Sequence, residues 1–183
     1  MSKAVDYGYA LYELAAEEGL EEKINIEFDE VAQIFEKNQD FIKLLSNPRI
    51  PILDRIHVID HVFKNSVQSY LLSLLKILVE KKQISYVPQI FKEYRKQYYI
   101  NKNILPVTVI SAVALNENQR KRIIEKLEKS MNKTILLDNK IDPSCIGGIR
   151  LEYQGRMIDA SIKNRFQKLQ LNLKNADYSV AEV

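Results

Sequence analysis

The sequence predicts an α+β chain, with an N-terminal six-helix bundle followed by a small C-terminal α/β domain in the order strand, helix, strand, strand, strand, helix. Apolar residues recur at helical spacing through six stretches up to Tyr99, and the period then shortens to two from Ile104 onward. Residues 134–162, TILLDNKIDPSCIGGIRLEYQGRMIDASI, set two turn signals among three strand-like runs. Proline at 143 fixes φ and lacks an amide donor, and Gly147-Gly148 permits positive φ or close backbone approach.

Residues 3–18 read as a helix with two apolar stripes, one of Ala4, Tyr7, Leu11 and Leu14, the other of Val5, Tyr9, Tyr12 and Ala16. A bundle core needs only one of them. Gly19 ends that helix, and Ile24, Phe28, Val31 and Phe35 mark a second. A short third helix carries Phe41, Leu44 and Leu45 and stops at Asn47-Pro48. Pro51 suits the first turn of a fourth, whose Ile52, Ile56, Ile59 and Phe63 share a face. Residues 67–79, VQSYLLSLLKILV, are apolar nearly all round. A sixth helix spans 84–99, with Val87, Ile90, Phe91, Tyr94 and Tyr98 inward and Pro88 in its first turn.

After a hinge near Asn101-Lys102-Asn103, residues 104–112 alternate as a strand, and Asn116 is placed to cap a helix over 117–131 that carries Ile123, Ile124, Leu127 and Met131. Thr134 to Leu137 and Ile149 to Tyr153 follow as strands, and Gln154-Gly155 reverses the chain into Met157-Ile158. An amphipathic helix over 162–173, with Ile162, Phe166, Leu169 and Leu173, and a mobile tail close the reading. The domains are therefore expected at 1–103 and 104–174, with the tail at 175–183.

With 183 residues, 46% of them hydrophobic, the chain can bury a substantial core. No run approaches the ~18–20 apolar residues that cross a bilayer. The N-terminus MSKAVDYGYA lacks a secretory apolar core and an Arg-rich transit pattern, so a soluble protein without direct membrane insertion is expected. The lone Cys145 excludes an internal disulfide and a cysteine cage for zinc, and its apolar neighbours favour a buried thiol. A net charge of +3 conceals an asymmetry: the first 36 residues hold ten acids against Lys3 and Lys23. That end repels nucleic acid and anionic lipid.

His57 and His61 stand four apart with Asp60 between them, a spacing that offers a metal two imidazoles, but no third ligand is evident. They read as helix surface, and no metal, cofactor or catalytic residue is expected. Gly147-Gly148 leads into a strand without a Lys-Ser/Thr pair, which makes it a turn rather than a phosphate loop. Arg120, Lys121, Arg122, Lys126, Lys129 and Lys133 could grip phosphates, so an RNA-binding C-terminal module is the alternative reading. Glu117, Glu125 and Glu128 interleave with these cations, as on a salt-bridged surface. The apolar surplus on the first and fifth helices is more distinctive. Residues 67–79 read either as a wholly buried central helix or as half of a groove, and the doubled stripe on residues 3–18 favours the groove, open to an amphipathic helix from a partner. Leu11 would sit within it, where an aspartate blocks binding and spares the fold.

Lys140-Ile141-Asp142-Pro143-Ser144-Cys145-Ile146-Gly147-Gly148-Ile149, followed by Ile158-Asp159-Ala160-Ser161, resembles the C-terminal signature of the F-type ATP synthase delta subunit family, which includes the mitochondrial oligomycin-sensitivity-conferring protein. Tyr7, Ala10-Leu11 and Ala15, Pro48-Arg49-Ile50, and Val109-Ile110-Ser111-Ala112 with Leu115 extend the resemblance over nearly the whole chain. The family departs from this sequence at Cys145 (Leu or Met-like), Ala160 (Gly), Phe166 (Leu) and near Lys82-Gln83 (Gly-Arg), the last leaving open how the fifth helix ends.

The resemblance implies a non-catalytic stator, one copy per complex, peripheral at the cytoplasmic face of the bacterial cell membrane. It implies that the helical domain binds N-terminal helices of the alpha subunits through Tyr7, Ala10, Leu11, Leu14, Leu71, Leu74, Ile77 and Leu78. The C-terminal domain would engage the C-terminal region of the b subunit, with Ile162, Phe166 and Leu169 serving as core or interface. Asp142, Pro143, Ser144, Ile146, Gly147, Gly148, Asp159 and Ser161 would be structural.

Overall fold

The computed structural model describes residues 3–145 and 147–159. Packing divides the chain into two compact units, Met1–Lys102 and Asn103–Val183. The first unit holds six α-helices among the described residues: α1 (Lys3–Glu17), α2 (Glu21–Lys37), α3 (Gln39–Ser46), α4 (Ile52–Phe63), α5 (Ser69–Glu80) and α6 (Val87–Asn101). A single 3-10 turn, Ile84–Tyr86, precedes α6 and separates it from the helix expected to begin at 84. Pro88 explains the division, because it sits in the first turn of α6 and lacks the amide that a continuous helix would use there.

Every expected ladder residue of α2 is buried, as are Val87, Ile90, Phe91, Tyr94 and Tyr98 of α6. Phe28 meets Phe91 and Tyr94 in tilted and edge-on arrangements, and Tyr12 meets Tyr94 edge-on. The buried Tyr94 hydroxyl donates to the Glu21 carbonyl oxygen at 2.9 Å, and burial pushes its pKa far above the ordinary phenol value. On α4 the expected face is displaced. Pro51 precedes the helix rather than joining its first turn, Ile52 is exposed, and Arg55 takes a buried position beside Ile59 and Phe63. Its Nη1 donates to the Leu45 carbonyl oxygen at 3.0 Å, so the guanidinium satisfies the C-terminal end of α3 from inside the bundle.

Gly8 sets how closely α1 and α6 approach. A Cβ there would lie 2.8 Å from both the Glu93 Cβ and the Ile90 carbonyl oxygen. Helix α5 ends with the Gln83 amide donating to the Leu78 carbonyl and the Lys82 amide donating to the Val79 carbonyl, which leaves Lys82 at φ 55°. The resemblance implies a Gly-Arg pair near here, and Lys82 holds the left-handed turn at a steric cost.

The second unit contains β1 (Ile104–Ser111), α7 (Glu117–Met131), β2 (Thr134–Ile141), β3 (Ile149–Tyr153) and β4 (Arg156–Asp159). The sheet order is β2-β1-β3-β4, with β1 and β2 parallel and the other pairs antiparallel. A parallel pair needs a crossover, and α7 supplies it. Asn116 caps α7 reciprocally with Gln119, the backbone amide of each donating to the other's side-chain oxygen at 2.8 and 3.0 Å. Strand β2 runs four residues beyond the expected Leu137, because all eight of its residues pair in register with β1. The polar Asp138, Asn139 and Lys140 hid the alternation of Ile135, Leu137, Asn139 and Ile141. Gln154 and Gly155 both take positive φ, the conformation of a two-residue hairpin turn. Leu105, Val107, Val109, Ile135 and Leu137 form the core, and Ile123, Ile124, Leu127 and Met131 of α7 pack on it. The helix expected at 162–173 and the tail at 175–183 lie outside the described residues.

Candidate functional site

Helices α1 and α5 are neighbours, and Tyr70 near the start of α5 hydrogen-bonds Glu18 just past the end of α1. That places the start of α5 beside the end of α1. Glu18 holds the Tyr70 pKa above its ordinary value through its charge, with burial and the hydrogen bond adding to the effect.

Four of the eight expected groove residues are not open to a partner. Leu11, Leu71, Leu74 and Leu78 are at most 7% exposed and belong to the bundle core. The physical reason is the approach of α1 to α5 and α6, which spends the centre of the Ala4–Leu11–Ala15 face inward. An aspartate at Leu11 would therefore strike the fold itself. The other four form the accessible part: Leu14 is 45% and Ile77 41% exposed, Ala10 is exposed and Tyr7 half-buried. Tyr7, Ala10 and Leu14 fall at i, i+3 and i+7 along α1, and on the same side of the helix as Glu18. Tyr70, Ser73 and Ile77 repeat that spacing on the α1 side of α5. The surface between these two rows, accessible at Leu14 and Ile77, is the candidate trough. The groove expected from the sequence omits Tyr70 and Ser73, because it follows the leucines of α5.

In the second unit the signature residues build a junction. The Asp142 amide donates to the Ser111 carbonyl at 2.9 Å, and the Cys145 amide closes the turn on the Asp142 carbonyl at 3.0 Å. The Ser144 amide donates to Asp142 Oδ1 at 2.9 Å, while the Arg150 guanidinium from β3 pairs with the other carboxylate oxygen. The Ser144 hydroxyl and amide, followed by Arg150, hold the Asp142 carboxyl below its ordinary value. Gly147 and Gly148 have φ of 150° and 80°, and Cys145 is buried as a free thiol. Asp159 is opposite Arg150 in the β3–β4 register, whereas Ile146 and Ser161 lie outside the described residues. Asn139, which the sequence reading passed over, donates to the Val109 carbonyl and Ser111 Oγ, each at 2.9 Å, and accepts from the Leu115 amide. It pins the loop before α7 to the sheet.

His57 and His61 are both exposed on α4, and Asp60 between them is taken up by Lys76 at 2.6 Å. Among the described residues no group of three or more His, Cys, Asp or Glu is arranged to hold a metal. Of the cations on α7, Arg120 turns to the sheet and donates to the Leu137 carbonyl at 3.1 Å, and Glu128 accepts from the Ile135 amide. These two side chains occupy backbone groups on the open edge of β2 and so discourage addition of another strand. No described helix is long and apolar enough to cross a membrane.

Comparison with known proteins agrees with this architecture. A family model described as ATP synthase delta (OSCP) subunit matches residues 4–173. The ATP synthase subunit delta of Clostridium kluyveri is 30% identical over 163 residues, covering 89% of this chain and 90% of the relative. That of Clostridium botulinum (strain Loch Maree) is 31% identical over 163 residues, covering 89% and 91%. A chain in the cryo-EM structure of the Toxoplasma gondii mitochondrial ATP synthase hexamer shares the fold, with a TM-score of 0.70 at 17% identity over 94% of this chain and 98% of that one. The chain belongs to the ATP synthase delta (OSCP) subunit family, the non-catalytic stator subunits of the F-type ATP synthase.

Proposed function

We propose that this subunit joins the catalytic head to the peripheral stalk, with the helical unit receiving an N-terminal helix of an alpha subunit and the C-terminal unit engaging the C-terminal region of the b subunit. Each complex carries one copy, at the cytoplasmic face of the bacterial membrane. The observation that carries the reading is the pair of accessible rows, Tyr7–Ala10–Leu14 and Tyr70–Ser73–Ile77, on the neighbouring helices α1 and α5. An amphipathic guest helix would lay its apolar face between them. The mechanical task is to resist the torque of rotation, and buried apolar contact with slow dissociation serves that better than isolated exposed ion pairs.

Binding of the full chain to the purified alpha subunit tests it. Leu14→Asp and Ile77→Asp alter exposed side chains, so they should keep native helical content by circular dichroism and lose binding by at least about tenfold. Unchanged affinity in both variants would refute the trough as the head-binding site.

A further inference from the structure

Helix α1 carries three acids, Asp6, Glu13 and Glu17, against the single cation Lys3. Asp6, Glu13 and Glu17 stand at i, i+7 and i+11 on α1, which at about 100° per residue gathers them into one narrow strip. The strip lies beside Ala10 and Leu14 on their solvent side, and all three acids are exposed. Some carboxylates elsewhere in the bundle pair with cations, Asp29 with Arg95, Asp60 with Lys76 and Glu21 with Lys102. Among the described residues no lysine or arginine forms an ion pair with the acids of the strip.

Behind the strip, between α1 and the end of α6, is a depression of about 380 Å³ lined by Tyr9, Tyr12, Glu13, Ala16, Glu17 and Asn101. Two phenol rings, two carboxylates and an amide make a receptor for a cationic side chain, through ion pairing and contact with a ring face. Tyr9 is 47% exposed and hydrogen-bonds Glu13, whose carboxylate thereby holds the phenol pKa above its ordinary value.

We propose that the helix seated between α1 and α5 is basic along the flank facing α1, its lysines or arginines meeting the Asp6–Glu13–Glu17 strip. This rests on the trough being the head-binding site and adds the chemistry of its guest. An acidic or neutral helix would leave the three carboxylates facing a partner without compensation, a cost that discriminates between guests.

The test measures association rate and affinity of the full chain for the purified alpha subunit at low and high salt. Glu13→Lys with Glu17→Lys should lower the association rate and affinity at low salt by about tenfold and flatten their salt dependence. Glu13→Gln with Glu17→Gln should give a smaller change in the same direction, and it supplies the readout should the double reversal misfold. Wild-type affinity and salt dependence in the charge variants, with binding still lost in Leu14→Asp and Ile77→Asp, would overturn the basic guest and leave the trough standing. Wild-type binding in the two aspartate variants would remove the trough and the inference together.

Discussion

Helices α2 and α6 each bury a full ladder, Ile24–Phe28–Val31–Phe35 and Val87–Ile90–Tyr94–Tyr98, whereas α7 of the second unit has no buried residue at all. Among the described residues, the sheet unit closes a cluster of five buried side chains with half-exposed α7 side chains and carries polar ties, Asn139 between strands and loop and Asp142 between turn and β3. A surplus of buried aromatic and aliphatic surface lets the bundle leave Leu14 and Ile77 in water. Over the described residues of the second unit, hydrogen-bond geometry has a larger share beside a smaller apolar cluster. Stability in the first unit should therefore respond to volume, and in the second to protonation.

The sharpest way to break this contrast is Gly8→Ala. Helix propensity favours alanine, but the added methyl meets the Ile90 carbonyl at 2.8 Å, and a backbone atom cannot step aside as a side chain can. Overpacking should win, lowering the stability of the bundle by about 1–3 kcal/mol in chemical denaturation. Amide exchange of β1–β3 should be unaffected, and a gain in stability would show that α1 and α6 are not in close contact.

Lys82→Gly tests the bundle from the other direction. Glycine accepts φ 55° without a Cβ clash, so the C-terminal turn of α5 should tighten and the free energy of unfolding of the bundle rise by about 1 kcal/mol in chemical denaturation. A loss of stability would mean that the left-handed turn is not strained.

Asp142→Asn should produce the smallest effect at neutral pH and the most informative pH profile. The Asp142 carboxyl is held below its unfolded value, so between the two pKa values the unfolded chain binds more protons and stability rises with pH. The contribution is complete above the unfolded carboxylate pKa and disappears as pH falls through the folded one. Unfolding of wild type and Asp142→Asn from neutral to acid pH, followed in the second unit, should show curves that converge at low pH. Parallel curves would assign the dependence to other groups.

Much of the fold was legible in the sequence because the deciding interactions are local. Helical spacing marked α1 to α6, Gly19 marked the end of α1, and Asn116 with Gln119 marked the start of α7. The candidate site was legible only as two helices with too much apolar surface. Which of their residues stay open depends on what packs alongside, and Leu11 and Leu14 differ by less than one turn yet are 4% and 45% exposed.

What the sequence determined by itself was the list of elements, their capping residues, the turn chemistry of Asp142-Pro143-Ser144 and the family signature, since backbone preference and amphipathic period act within a few residues. Only the tertiary structure decided that Arg55 goes inside, that Gly8 brings α1 against α6, and that the trough narrows to Tyr7, Ala10, Leu14 and Ile77 with Tyr70 and Ser73. Those outcomes follow from steric contact between segments distant along the chain, which the periodicity of one helix does not encode.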